Sequence, residues 1–117
     1  MRTTYSQDVS AERAIDLVHL ARQTLGDQDL EAEILSLFVR QSRNLCGRIA
    51  DMQDAQKRND LAHTLIGSAR AVGAWRIARD AERVEEAADA EKLKGAVKQL
   101  SASVEEACAA IEALSIQ

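Results

Sequence analysis

Apolar residues recur along the chain in five amphipathic stretches, each at helical spacing. The first runs from about Ser10 to Thr24. Its stripe is Ala11, Ala14, Ile15, Val18, Ala21 and Leu25, with Ser10 the expected N-cap and Gly26 the stop. The second starts after Asp27 and runs to about Gln53, with Leu30, Ile34, Leu37, Phe38, Leu45, Ile49 and Met52 in register. Leu35, Val39 and Cys46 widen that stripe, so this helix is expected to touch neighbours on two sides. The third starts near Asn59 and ends at Gly73, with Leu61, Leu65, Ala69 and Val72 inward. The fourth spans about Ala74 to Ala88 around Ile77, Ala81 and Val84. The fifth follows Asp89, a possible N-cap. Its Leu93, Val97, Leu100, Val104, Ala107, Ile111 and Leu114 alternate steps of four and three, the pattern of a helix packed along its whole length. Short connections make successive helices antiparallel. The predicted fold is all-α: an up-down four-helix bundle with an additional short N-terminal helix laid across it.

Composition agrees with this reading. There is no proline and only 3% aromatic residues, which argues against a β-sandwich or barrel. The 117 residues suit one domain, residues 1–117, with about the first nine expected to be flexible. No apolar run approaches the roughly 20 residues of a membrane span. Met1-Arg2-Thr3-Thr4-Tyr5 lacks the apolar stretch of a signal peptide. Cys46 and Cys108 have no metal spacing and make no disulfide framework, so buried thiols in a reducing cytoplasm are expected. A net charge of −4 and three aromatic residues disfavour a nucleic-acid binder.

One residue stands out on the third helix. At about 100° per residue, His63 lies roughly opposite the centre of the Leu61, Leu65, Ala69 and Val72 cluster. Its expected neighbours on the outer face are Asn59, Ile66, Gly67, Arg70 and Ala74, with Ser68 beside them. A glycine inside a helix costs about 1 kcal/mol relative to alanine. Wheel geometry alone leaves two readings: a solvated histidine beside a tolerated glycine, or a low, partly apolar face that another protein approaches.

The local sequence Ala62-His63-Thr64-Leu65-Ile66-Gly67-Ser68-Ala69-Arg70-Ala71-Val72-Gly73-Ala74 resembles the signature of histidine-containing phosphotransfer (HPt) domains. Leu25-Gly26-Asp27 resembles the family's lead into its second helix. Ala78, Ala81 and Val84-Glu85 resemble the helix after the histidine. The resemblance covers roughly residues 12 to 114. It implies a four-helix bundle and a phosphorelay role, with His63 carrying a phosphoryl group between response-regulator receiver domains. It also implies a possible hybrid histidine kinase partner. The family usually places lysine three residues after the histidine to hold the phosphoryl group; here that residue is Ile66. Arg70, two turns on and within about 20° of His63, is the candidate replacement cation.

The chemistry is consistent with that implication. An exposed neutral imidazole is a nucleophile near pH 7. No cofactor is expected in this chain, because the receiver brings the acceptor aspartate and Mg²⁺. No P-loop or kinase signature is present, so the chain is expected to receive phosphate and not to generate it. Between Lys57 and Arg79 there are five basic residues and one acid, Asp60, a local charge of +4 in a chain of −4. That run is expected to steer an acidic receiver pocket. Asp60, one turn before His63, is a candidate for orienting the imidazole or a simple first-turn acid. His19 is expected to pack at a boundary, and Trp75 to cap the bundle end. An outward His63 does not suit a bundle metal site. A monomer is expected, with no membrane or nucleic-acid partner. A dimeric kinase phosphoacceptor domain usually follows its histidine with an acid and soon a proline, whereas Thr64 follows here. The alternative from another class is a non-catalytic helical adaptor that docks a receiver or kinase without phosphotransfer.

Overall fold

Four aspartates start four helices in the computed structural model, which describes residues 14–116. Asp16, Asp27, Asp54 and Asp89 each turn a carboxylate onto the backbone N–H three residues ahead. The acceptances, from His19, Leu30, Lys57 and Lys92, are 2.8–3.0 Å long. Each satisfies an amide that the helix start leaves without a partner. The helices are α1 (Leu17–Gln23), α2 (Gln28–Asp51), α3 (Ala55–Val72), α4 (Trp75–Glu86) and α5 (Ala90–Ile116). Among the described residues there is no strand.

Helices α2 to α5 close into a ring: α2 packs on α3, α3 on α4, α4 on α5 and α5 back on α2. This is the expected up-down bundle. Its core includes Phe38, Ile49, Leu65, Ile77, Leu100 and Val104. Cys46 and Cys108 are buried free thiols, as expected. Burial pushes the Cys108 thiol up, so it packs as a small apolar group. Across the α2–α5 seam Ser42 meets Cys108, and Cys46 meets Ser101. On the outside of that seam Arg43 donates to both carboxylate oxygens of Glu105 and of Glu112, at 3.1–3.2 Å. Among the described residues no helix is long and apolar enough to cross a membrane.

The N-terminal stretch departs from expectation. Helix α1 starts at Leu17 because Asp16 caps it; Ser10, Ala11 and the segment expected to be flexible lie outside the described residues. Its buried side chains are Leu17 and Leu20, together with Ala14 and Ile15 just before it. Val18 is 63% exposed and Leu25 94%. Ala14 and Ile15 of the expected stripe are inside, but beyond Asp16 the inward positions are Leu17 and Leu20 in place of Val18 and Ala21, because the helix restarts at the Asp16 cap. Leu25 (φ +54°) and Gly26 (φ +80°) turn left-handed into α2, so Gly26 stops the helix as expected but Leu25 is carried into solvent. On α2, Leu30 and Leu37 are more than 40% exposed, while Leu35, Phe38 and Val39 are inside.

Helix α3 begins a turn earlier than the apolar stripe suggests, since Asp54 and not Asn59 is beside its first residue. It ends at Gly73 (φ +78°), where the Gly73 and Ala74 amides bond back to the Arg70 and Ala69 carbonyls. The left-handed residue reverses the chain directly into α4. Helix α1 sits on that turn. The Asp16 amide donates to the Gly73 carbonyl at 2.9 Å, and a Cβ at Gly73 would come within 2.7 Å of the Asp16 Cβ. Trp75 Nε1 donates to Asp16 Oδ2 at 3.1 Å, and the His19 ring meets the Trp75 ring edge-on at 5.0 Å. Trp75 thus holds α1 to the α3–α4 turn, and His19 packs at that boundary.

Candidate functional site

The wheel of α3 has a wider buried arc than one stripe predicts. Ala62 and Ile66 are buried with Leu65, Ala69 and Val72, because α3 is covered on two sides, by α2 and by α4. Taking Leu61 as zero, the buried residues run to about 140° at Ile66, and His63 stands at about 200°. His63 therefore lies on the edge of the outer face that borders α4, not in the middle of that face. Its side chain is 83% exposed. Two residues placed on the outer face are not there: Ile66 is 3% exposed and Ala74 is 0%. Ile66 fills the α3–α4 contact, and Ala74 is pinned inside the turn. Asn59 and Ser68 are half-buried at the two margins, and Gly67 and Arg70 are exposed. A Cβ at Gly67 would meet nothing within 4 Å, so the surface beside His63 is open as expected.

The partner of the imidazole comes from α4. Glu85 Oε2 stands 4.0 Å from His63 Nδ1, on a side chain that is 30% exposed. This spacing is an ion-pair distance rather than a hydrogen bond. Nδ1 is the ring nitrogen that faces the carboxylate, and Nε2 points away from it. Asp60 does not orient the ring. Its carboxylate accepts from Gln56 Nε2 at 3.0 Å, and its carbonyl takes the Thr64 hydroxyl at 3.1 Å. Nothing on α3 alone points to Glu85, although Val84-Glu85 lies in the stretch that resembles the family. Mirror positions about the Gly73-Ala74 turn would have found it: His63 is ten residues before Gly73, and Glu85 eleven after Ala74.

Arg70 is engaged too. Its Nη2 donates to Glu82 Oε2 at 3.1 Å, with both side chains about half exposed. Three of the five basic residues in the run have partners of their own. Arg58 Nη1 donates to the Met52 carbonyl, Arg70 is held by Glu82, and Arg76 pairs with Glu106 of α5. The acid nearest the imidazole, Glu85, comes from the neighbouring helix, which a one-helix count leaves out.

A family model for the Hpt domain matches residues 33–115, more than two thirds of the chain. The chain belongs to the Hpt domain family. Neither a curated protein nor a solved structure matches it. Hpt domains serve histidine phosphotransfer in two-component phosphorelays and work with receiver domains and kinases. The all-α bundle of this Hpt domain agrees with that membership.

Proposed function

We propose that this Hpt domain accepts a phosphoryl group on His63 Nε2 from the aspartyl phosphate of one response-regulator receiver and passes it to the aspartate of another. One observation carries the assignment. Of the two histidines, His63 alone lies inside the family-matched segment, and its imidazole is 83% exposed. His19 lies outside that segment and stacks edge-on against Trp75.

The chemistry follows from the ring's surroundings. The Nε2 lone pair attacks phosphorus in line as the bond from phosphorus to the aspartyl oxygen breaks, and the leaving electron pair stays on the carboxylate. The proton on Nδ1 stays in place. The ring becomes a phosphoimidazolium whose positive charge faces Glu85. In the return step the acceptor carboxylate attacks phosphorus and imidazole leaves neutral, its Nδ1 proton still opposite Glu85. No proton is gained or lost in either direction. The receiver contributes the acceptor aspartate and its Mg²⁺; this chain needs no cofactor for its part. Gly67 leaves room for the receiver to seat over the ring, with Asn59, Ser68 and Arg70 around it. Buried Ile66 and Ala74 have no part in that surface. The setting is the cytoplasm, where the buried thiols stay reduced.

The test is transfer of labelled phosphate from a panel of phosphorylated receivers from the same organism. The expected product carries an acid-labile, alkali-stable label that His63→Gln removes without changing the helical circular dichroism. Label on the His63→Gln protein, or on His19, overturns the assignment. Binding of a receiver without uptake of phosphate makes the chain an adaptor.

A further inference from the structure

Arg70 and His63 converge more than their positions on α3 suggest. They are seven residues apart, about 10.5 Å along the helix axis. Their partners on antiparallel α4, Glu82 and Glu85, are three residues apart, about 4.5 Å. The two pairs are therefore closer together along α4 than His63 and Arg70 are along α3. Ile66, the nearer position on that side of α3, is buried and apolar. Arg70 is thus the basic side chain on the His63 side of α3, and the Glu82 carboxylate holds it.

From this arrangement we infer that Glu82 is a positioning residue that holds Arg70 while His63 is unmodified, and that phosphorylation of Nε2 draws the guanidinium from Glu82 onto the phosphoryl oxygens. The inference rests on the reading of His63 as phosphoacceptor. A half-exposed pair such as Arg70–Glu82 is weak and easily exchanged. A phosphoryl group near −2 offers three strong acceptors in place of one carboxylate, and guanidinium bonds such a group bidentately. Glu85 cannot compete for Arg70, because it faces the ring nitrogen that keeps the proton. The strength of the Glu82 contact therefore subtracts from the stability of the phosphohistidine. A weaker hold makes the phosphorylated form longer-lived, and a stronger one makes it a readier donor.

The experiment needs no receiver. Potassium phosphoramidate phosphorylates exposed histidine directly: the P–N bond to ammonia breaks as the Nε2–P bond forms. Phosphohistidine hydrolysis and the ³¹P pH titration are then followed in the wild type, Glu82→Gln, Arg70→Ala and the double variant. A guanidinium bound to the phosphoryl oxygens stabilises the phosphohistidine by charge-assisted hydrogen bonds, and the expected result of that hold is slower hydrolysis. Glu82→Gln is expected to lengthen the lifetime roughly threefold and to lower the ³¹P titration midpoint. Arg70→Ala is expected to do the reverse. In the double variant the effect of Glu82→Gln is expected to vanish, because no guanidinium is left to release. Glu82→Asp, which keeps the charge, is expected to stay near the wild type. A Glu82→Gln effect that persists without Arg70 would mean simple repulsion by Glu82 and would overturn the inference; so would unchanged lifetimes. Label from phosphoramidate but from no receiver would remove the relay assignment and leave this exchange standing. No label from either source would remove both.

Discussion

The two ends of the α3–α4 hairpin are built on opposite principles. At the turn, contacts are saturated. The Asp16 carboxylate takes the His19 amide and the Trp75 indole, its own amide bonds to Gly73, and Gly73 leaves no room for a Cβ. Ten residues earlier the contacts are sparse. His63 is 83% exposed, its nearest charged neighbour is 4.0 Å away, and Gly67 faces open space. Each end has a glycine, for different reasons. Gly73 is needed by the backbone, because a left-handed residue must reverse the chain under α1. Gly67 is not needed by the backbone and costs helix stability; under the proposed function its open surface is where a receiver seats over His63.

The largest effect expected from breaking this contrast is on transfer. Gly67→Gln puts a long side chain beside His63 and keeps a receiver from seating the imidazole, slowing phosphotransfer by roughly a hundredfold. The melting temperature should not fall, because nothing lies within 4 Å to clash. Gly67→Ala should raise stability by about 0.5–1 kcal/mol. A Gly67→Gln protein that melts early would show that the position is packed. One that transfers normally would show that receivers approach from another side.

The same kind of substitution at the other glycine should have the opposite sign. Gly73→Ala places a Cβ in a left-handed residue and 2.7 Å from the Asp16 Cβ. A loss of about 1–3 kcal/mol is expected, read as a fall in melting temperature of roughly 5–15 °C. Phosphate uptake by the molecules that remain folded should persist, since His63 lies two to three turns away. Equal melting temperatures for Gly73→Ala and Gly67→Ala would erase the distinction between the two ends.

The smallest effect is local and acidic. The His19 amide, and then the Trp75 indole, hold the Asp16 carboxyl below its usual value. A depressed carboxyl contributes stability that is complete above its unfolded pKa and is lost as pH falls through the folded value. The hold on α1 should therefore loosen only below about pH 4. Trp75 is the single tryptophan, so its fluorescence reports this directly. Its emission should change before the helical signal does, and Asp16→Asn should remove that early step. Emission that follows global unfolding alone would place the strength of the turn in packing and not in Asp16.

Much of this was open to reading along the chain, because it depends on local periodicity. The all-α class, the order of elements, the starts at Asp27 and Asp89, the stop at Gly26 and the buried thiols all follow from spacing and capping chemistry within a few residues. So does an outward His63 beside a bare Gly67. What the tertiary structure decided is what a second helix does to the first. Ile66 looks outward on a one-stripe wheel and is buried because α4 covers that flank. Ala74 looks available and is enclosed by the turn. Two arginines of the basic run, Arg70 and Arg76, are met by Glu82 and Glu106 from neighbouring helices, and His63 by Glu85. Helical periodicity carries the direction of a side chain from its own axis. It carries nothing about which acid the next helix brings within 4 Å, because that depends on the register of two packed helices, and here Gly73 sets the register.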